Sequence, residues 1–151
     1  MRDIKFRAWD RKAKAMFPVH MMGFSKITDK LEFISGVDIH DKDSDHSGDV
    51  SYGGYINKMT GSPLQRRYEL MQYTGLKDRN GKEIYEGDIV QFRDIDVTDL
   101  PIRLGFVSFA NASHYIECHY SNHYRWIDYE TEVIGNIYEH PHLLEGTLNG
   151  T

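Results

Sequence analysis

Cys118 and His119 are neighbours in the chain, and a thiol beside an imidazole is the minimal pair for nucleophilic catalysis. On an extended strand, however, adjacent side chains point to opposite faces. Ile116, Cys118 and Tyr120 share one face and Tyr115, Glu117 and His119 the other, so Cys118 reads as core and His119 as surface. His114, Glu117, His119 and His123 offer imidazole and carboxylate ligands in one short stretch, the basis of an alternative reading as a metal-assisted hydrolase using His114, Glu117 and His119. Histidines scattered among tyrosines more often serve a surface or an interface, and metal affinity also requires partners that orient the ligands. His140 and His142, flanking Pro141, carry the same ambiguity.

The carboxylates are no more specific. Asp41, Asp43 and Asp45 match positions 1, 3 and 5 of an EF-hand loop, but His46 replaces the glycine at position 6 and Tyr52 the glutamate at position 12. The five aspartates of 38–49 therefore read as a mobile, solvated acidic loop. Glu130 with Glu132, and Asp94 with Asp96, fall in polar connections where solvation is the expected state. Gly53-Gly54 is followed by no Lys-Ser pair, so no phosphate loop is present. No catalytic, cofactor or metal residue is assigned on these grounds, and no cofactor is expected.

The elements that must position these residues are strands. Ile4, Phe6 and Ala8 alternate with Lys5, Arg7 and Trp9, a charged cluster follows at 10–14, and 16–22 is apolar again, which predicts a hairpin. Residues 26–37 lean to strand. Leu64, Arg67, Tyr68 and Met71 fall at helical spacing and suggest a short helical turn in 63–71. Strand 70–74, the turn dipeptide Asn80-Gly81 and the return 83–85 make a second hairpin. Glu86-Gly87-Asp88 then turns a tight corner. Five short strands follow at 89–92, 104–109, 115–120, 124–129 and 133–138, the size of an SH3-like barrel. His140-Pro141-His142 ends the sheet, and Leu143-Leu144 tucks back before a frayed tail. The expected organisation is mainly β with little helix: an N-terminal hairpin arm and acidic loop region (1–60), an SH3-like small barrel (61–145) and a flexible tail (146–151).

The 151 residues carry 18 Lys and Arg against 23 Asp and Glu, a net charge of −5, with 40% hydrophobic residues. This is an ordinary globular composition. One cysteine excludes an intramolecular disulfide and fits a reducing, cytoplasmic setting. No apolar run approaches the roughly 20 residues of a membrane helix, and the N-terminus lacks the apolar core of a signal peptide. Residues 1–14 hold six basic and two acidic groups, or +4, leaving 12 basic and 21 acidic, or −9, in the remainder. Phosphate neutralisation supplies most nucleic-acid affinity, so an acidic body disfavours DNA and leaves Arg2, Lys5 and Arg7 as the basic contact candidates. On an edge strand the same residues also guard against unwanted pairing.

The run 70–90 resembles the signature of the YopX-like proteins of bacteriophages and prophages. Its centre is Gln72-Tyr73-Thr74-Gly75-Leu76-Lys77-Asp78-Arg79-Asn80-Gly81-Lys82 and its end Tyr85-Glu86-Gly87-Asp88-Ile89-Val90. Ile4-Lys5-Phe6-Arg7-Ala8-Trp9-Asp10 and Glu132-Val133-Ile134-Gly135-Asn136-Ile137-Tyr138-Glu139-His140-Pro141 agree with it. The resemblance implies a β-rich fold and self-association. It implies no catalytic residue, and the acidic stretch 38–49 is not part of the pattern.

Aromatic residues are the remaining signal: two Trp, ten Tyr and seven Phe make 13% of the chain, and every tyrosine lies from Tyr52 onward. Tyrosine combines a large apolar body with a hydroxyl, which suits contact surfaces. Tyr115, His119, Tyr124 and Trp126 are thus candidates for a partner or subunit interface, or alternatively for stacking single-stranded bases. The expectation is a non-catalytic phage or prophage accessory protein that self-assembles as a homo-oligomer and binds a macromolecular partner, a host or phage protein rather than nucleic acid. In one form of this expectation, the basic hairpin of one subunit docks on the acidic body of the next.

Overall fold

The computed structural model describes residues 1–37, 45–49, 67–93, 102–118, 121–124 and 130–148. The fold is mainly β, as the alternation predicts. Two compact units share the chain: one is Lys5–Met71, the other Met1–Ile4 with Gln72–Thr151.

In the first unit, β1 (Phe6–Asp10) and β2 (Ala15–Val19) form the expected antiparallel hairpin, with Phe6 opposite Val19 and Asp10 opposite Ala15. Strands β3 (Met21–Phe24), β4 (Leu31–Val37) and β5 (Asp45–Asp49) form a second antiparallel sheet in that order. Ala8, Phe17, Ile34 and Tyr68 are the core, flanked by Val19, Met22, Leu31 and Leu70. Phe17 meets Tyr68 edge to face at 5.8 Å. The backbone of β4 approaches β2 so closely that a Cβ on Gly36 would lie 2.0 Å from the carbonyl oxygen of Pro18, so only glycine fits.

Two expectations are corrected here. The acidic stretch is not all loop: β5 pairs with β4 from Val37 opposite Asp45 to Phe33 opposite Asp49, because a backbone ladder forms whatever the polarity of its side chains. Asp45 thus starts a strand, while 38–44 lies outside the described residues. Nor is there a helical turn at the end of 63–71, since β6 (Tyr68–Lys77) begins at Tyr68 and follows β1 in the strand order. Residues 61–66 are outside the described part.

In the second unit, the distal half of β6 pairs with β7 (Glu83–Tyr85). A five-stranded sheet follows, built from β8 (Asp88–Phe92), β9 (Arg103–Ala110), β10 (Ser113–Cys118), β11 (Ser121–His123) and β12 (Glu132–Asn136). Its order is β11-β10-β9-β8-β12, a meander whose last strand returns beside its first. Ile84, Val90, Phe92, Val107, Ile116 and Val133 form the core, with Leu76 and Cys118 packed on it. Val133 stands opposite Val90, and Val90 opposite Gly105. A Cβ on Gly105 would lie 2.5 Å from Ile116 Cγ2 and 2.7 Å from the Glu117 carbonyl oxygen, so the missing side chain lets the sheet curl over its core.

Four of the five expected strands appear. The fourth, 124–129, lies outside the described residues except for Tyr124, and a short strand, β11, precedes it and ends at His123. Among the described residues no ladder joins β11 to β12, and the SH3-like closure is not among their pairings. The C-terminal segment also differs: His142–Leu148 is a short helix, α1. It follows a turn capped by Asn136, whose side-chain oxygen accepts the N–H groups of Tyr138 (3.1 Å) and Glu139 (2.9 Å). The local alternation carries no sign of that cap.

The β9–β10 hairpin turns through Asn111 and Ala112 at φ +52° and +61°, the signature of a type I′ turn. Asparagine tolerates this region and alanine does not. Ala112→Gly is expected to raise stability by about 0.5–1 kcal/mol, read as a higher midpoint in chemical denaturation.

Candidate functional site

In the first unit two arginines are engaged by carboxylates. Arg11 Nη2 reaches Glu69 at 2.7 Å. Asp10, fully buried, receives Arg67 through both oxygens (3.0 and 2.9 Å) and caps the hairpin turn by accepting the N–H groups of Lys12 and Ala13. The bond to Asp10 raises the Arg67 pKa further. Lys5 is exposed, and Arg7 is half-buried on β1 opposite Pro18. Arg2 belongs to the other unit, where its Cδ lies 3.6 Å from the position a Gly75 Cβ would take.

Of the aromatic candidates, Tyr115 and Tyr124 are brought together with their rings stacked at 5.0 Å. Tyr115 is only 8% exposed, whereas Tyr124 is 47% exposed. Tyr115 is therefore covered by a protein ring rather than offered to a partner, and its hydroxyl donates to Glu117 at 3.4 Å. His119 and Trp126 lie outside the described residues.

The histidine cluster separates. The alternation of β10 puts His114 on the face opposite Glu117. Instead His114 packs on Phe109, with ring centroids 4.9 Å apart, and its Nε2 lies 3.1 Å from Glu86 Oε1. Glu86 Oε2 accepts the Gln72 N–H at 3.0 Å. Among the described residues no three His, Cys, Asp or Glu side chains are placed to hold a metal ion. Cys118 packs against the core, and burial pushes its thiol pKa up; Arg103 opposes the shift and Glu117 adds to it. A neutral thiol is a poor nucleophile.

One densely connected carboxylate is passed over by the hydrophobic pattern. Asp78 Oδ1 accepts the N–H groups of Asn80 (2.8 Å) and Lys82 (2.9 Å), and Oδ2 that of Val133 (3.0 Å) on β12. Burial raises its pKa, but the bonds from Val133, Lys82 and Asn80, with the charge of Lys82, outweigh this and lower it overall. Beside it Glu132 accepts from Arg79, from Gln91 Nε2 at 2.7 Å and from Asn80 Nδ2 at 3.3 Å, so it is not the solvated carboxylate its sequence context suggests. The signal for Asp78 is present in the sequence, since Asp two residues before a turn residue forms Asx turns; the reach to Val133 has none. A shallow open pocket of about 110 Å³ adjoins this loop, lined by Arg79, Gln91, Phe92, Arg93, Ile102 and Glu130. That volume holds one side chain, well below the ~300 Å³ at which small-molecule sites begin.

The sequence of this fold matches the family described as YopX protein over residues 5–145. The chain belongs to the YopX family. Two solved structures are similar to it along nearly their whole length. Protein EF1440 from Enterococcus faecalis is 28% identical with a TM-score of 0.58, over 95% of this chain and 99% of that one. The yopX protein from Bacillus subtilis is 20% identical with a TM-score of 0.58, over 97% and 98%. No curated protein matches the chain significantly. The matched span includes Asp78 and the loop that closes onto β12.

Asp78→Asn leaves one acceptor oxygen for three donors and is expected to cost about 2–3 kcal/mol near neutrality. Because the folded-state pKa of Asp78 is lowered, its contribution is complete above the unfolded value of about 3.9 and is lost as pH falls through the folded value. Denaturant titrations of both proteins at neutral and strongly acidic pH should show the difference shrinking in acid. Independently, Cys118 is expected to react with a disulfide reagent more slowly than a free thiol at neutral pH, and to speed up in alkali or on unfolding.

Proposed function

We propose that this member of the YopX family is a non-catalytic accessory protein of phage or prophage origin, acting in the cytoplasm of a bacterial host. It associates with copies of itself and engages a macromolecular partner, a protein in preference to nucleic acid. The observation that carries this reading is the outer edge of β3.

Strand edges attract other chains unless they are blunted. On β2, an edge of its sheet, Pro18 removes a donor. On β12 the outer side is closed by Asp78 and by the Arg79 N–H bond to the Thr131 carbonyl. β5 carries Asp45 and Asp49, and β11 is the polar triplet Ser121, Asn122 and His123. β3 has none of these devices: it is Met21-Met22-Gly23-Phe24, without charge or proline, and pairs only with β4 among the described residues.

Around that edge Met21 is 62%, Phe24 60% and Ile27 94% exposed, with Phe33 across from Gly23 at 39%. All four are large apolar residues, and Met21 and Phe24 belong to the edge strand itself; exposed apolar side chains grouped near one strand edge are a feature of interaction sites. The occupant favoured is the same strand of a second copy, because an antiparallel pair of identical strands is two-fold symmetric and self-complementary. The commitment of Arg11 to Glu69 weighs against a salt-sensitive hairpin contact as the main interface. Net charge −5 and the covered ring of Tyr115 weigh against base stacking.

Light scattering across a dilution series is expected to show an oligomer that persists at high salt and shifts to monomer in Met21→Lys/Phe24→Lys. A wild type that stays monomeric throughout, or a mass unchanged in the variant, would overturn the reading. Tight binding of fluorescent single-stranded or duplex oligonucleotides at low salt would overturn the preference for a protein partner.

A further inference from the structure

Asn80 and Gly81 are both exposed at the tip of the loop between β6 and β7. Nothing lies within 4 Å of the space a Gly81 side chain would occupy. An Asn-Gly pair so placed is chemically labile, because glycine leaves its own nitrogen unhindered. That nitrogen, on losing its proton to a base, can attack Cγ of the preceding asparagine. The new N–Cγ bond closes a five-membered imide as the Cγ–Nδ2 bond breaks and ammonia leaves. Water then opens the ring at either carbonyl, leaving aspartate or its backbone-extended isomer, so that the net change is amide plus water to carboxylate plus ammonium.

The folded loop opposes each step. The Gly81 N–H donates to the Asp78 carbonyl at 2.9 Å, so the proton that must leave is bonded. The turn is not one with Asn80 and Gly81 as its central pair: the bond spans Asp78 to Gly81, and only Gly81 has positive φ, at +82°. Asn80 is held at both ends, its N–H by Asp78 Oδ1 at 2.8 Å and its Nδ2 by Glu132 Oε1 at 3.3 Å. Two carboxylates next to the nucleophile also disfavour an anionic nitrogen, as like charges do for any ionisation. Since the pair is exposed, protection resides in these bonds and not in burial.

We propose that Asn80 is a modification site, a latent deamidation centre that Asp78 and Glu132 hold inactive while the loop is closed onto β12. Local opening releases it, and the change is one-way. The product adds a negative charge facing Glu132, and the isomer adds a backbone carbon between the two N–H groups that Asp78 binds. Neither form restores the original loop, and the β12 edge loses its cover at Val133.

The test is peptide mass mapping of the full chain held in mildly alkaline buffer, folded or in guanidinium, with Asn149-Gly150, the other Asn-Gly pair in the sequence, followed in the same samples. Asn80 is expected to convert roughly tenfold or more slowly in the folded protein than in guanidinium, the protection that loop closure confers. Folded Asp78→Asn is expected to lose most of that protection while Asn149 keeps its wild-type rate. Glu132→Gln, which leaves the Asp78 bonds in place, should accelerate Asn80 to a smaller degree and serves if the first variant does not fold. Equal rates in folded and unfolded wild type would overturn the proposal, as would full protection of Asn80 in the folded variants.

Discussion

The carboxylate of Asp78 joins a local turn to a distant strand, and the second unit depends on that junction. One oxygen organises the loop through the N–H groups of Asn80 and Lys82, while the other takes the N–H of Val133, 55 residues away. A bond to a charged acceptor is stronger than a neutral one, about 1.5–3 kcal/mol in net terms, and here three donors converge on one group. The same contact seals the outer edge of β12, so a single side chain sets the turn, anchors the last strand and removes an open edge.

Asp10 does comparable work in the first unit. It caps the β1–β2 turn and, wholly buried, receives both arms of the Arg67 fork. Glu86 and Asp88 follow suit, accepting the N–H groups of Gln72 and Tyr85. Acidic residues that look from their types like acid–base candidates are therefore architectural. For Asp78, whose pKa the N–H bonds lower, this holds the carboxylate ionised, the opposite of what a general acid at neutral pH requires.

Much of the fold was legible because sheets write their faces into the chain with a period of two. The β1–β2 hairpin, the turn after β6, the corner at Gly87 and the strands β8, β9, β10 and β12, the last ending two residues before the expected 138, follow from alternation and turn residues. The misreadings share a cause. Tyr68 and Met71 sit at helical spacing yet are strand, since burial beside Phe17 and Ile34 outweighs a local pattern that short. The polar run Asp45–Asp49 reads as loop, yet it pairs along β4 through backbone groups that side-chain polarity does not report. The helix α1 depends on a turn capped by Asn136, a contact invisible to hydrophobic periodicity.

By itself the sequence determined the β class, the position of most turns, the assignment to a family and the placing of Cys118 against the core. These are properties of neighbours in the chain or of alternation, so they need no long-range information. Only the tertiary structure decided that Tyr115 lies under Tyr124, that His114 pairs with Glu86 and not with Glu117, that Asp78 reaches Val133, and that β3 pairs with β4. Each of these turns on which distant residue fills a given space or satisfies a given N–H, and local patterning does not specify that partner.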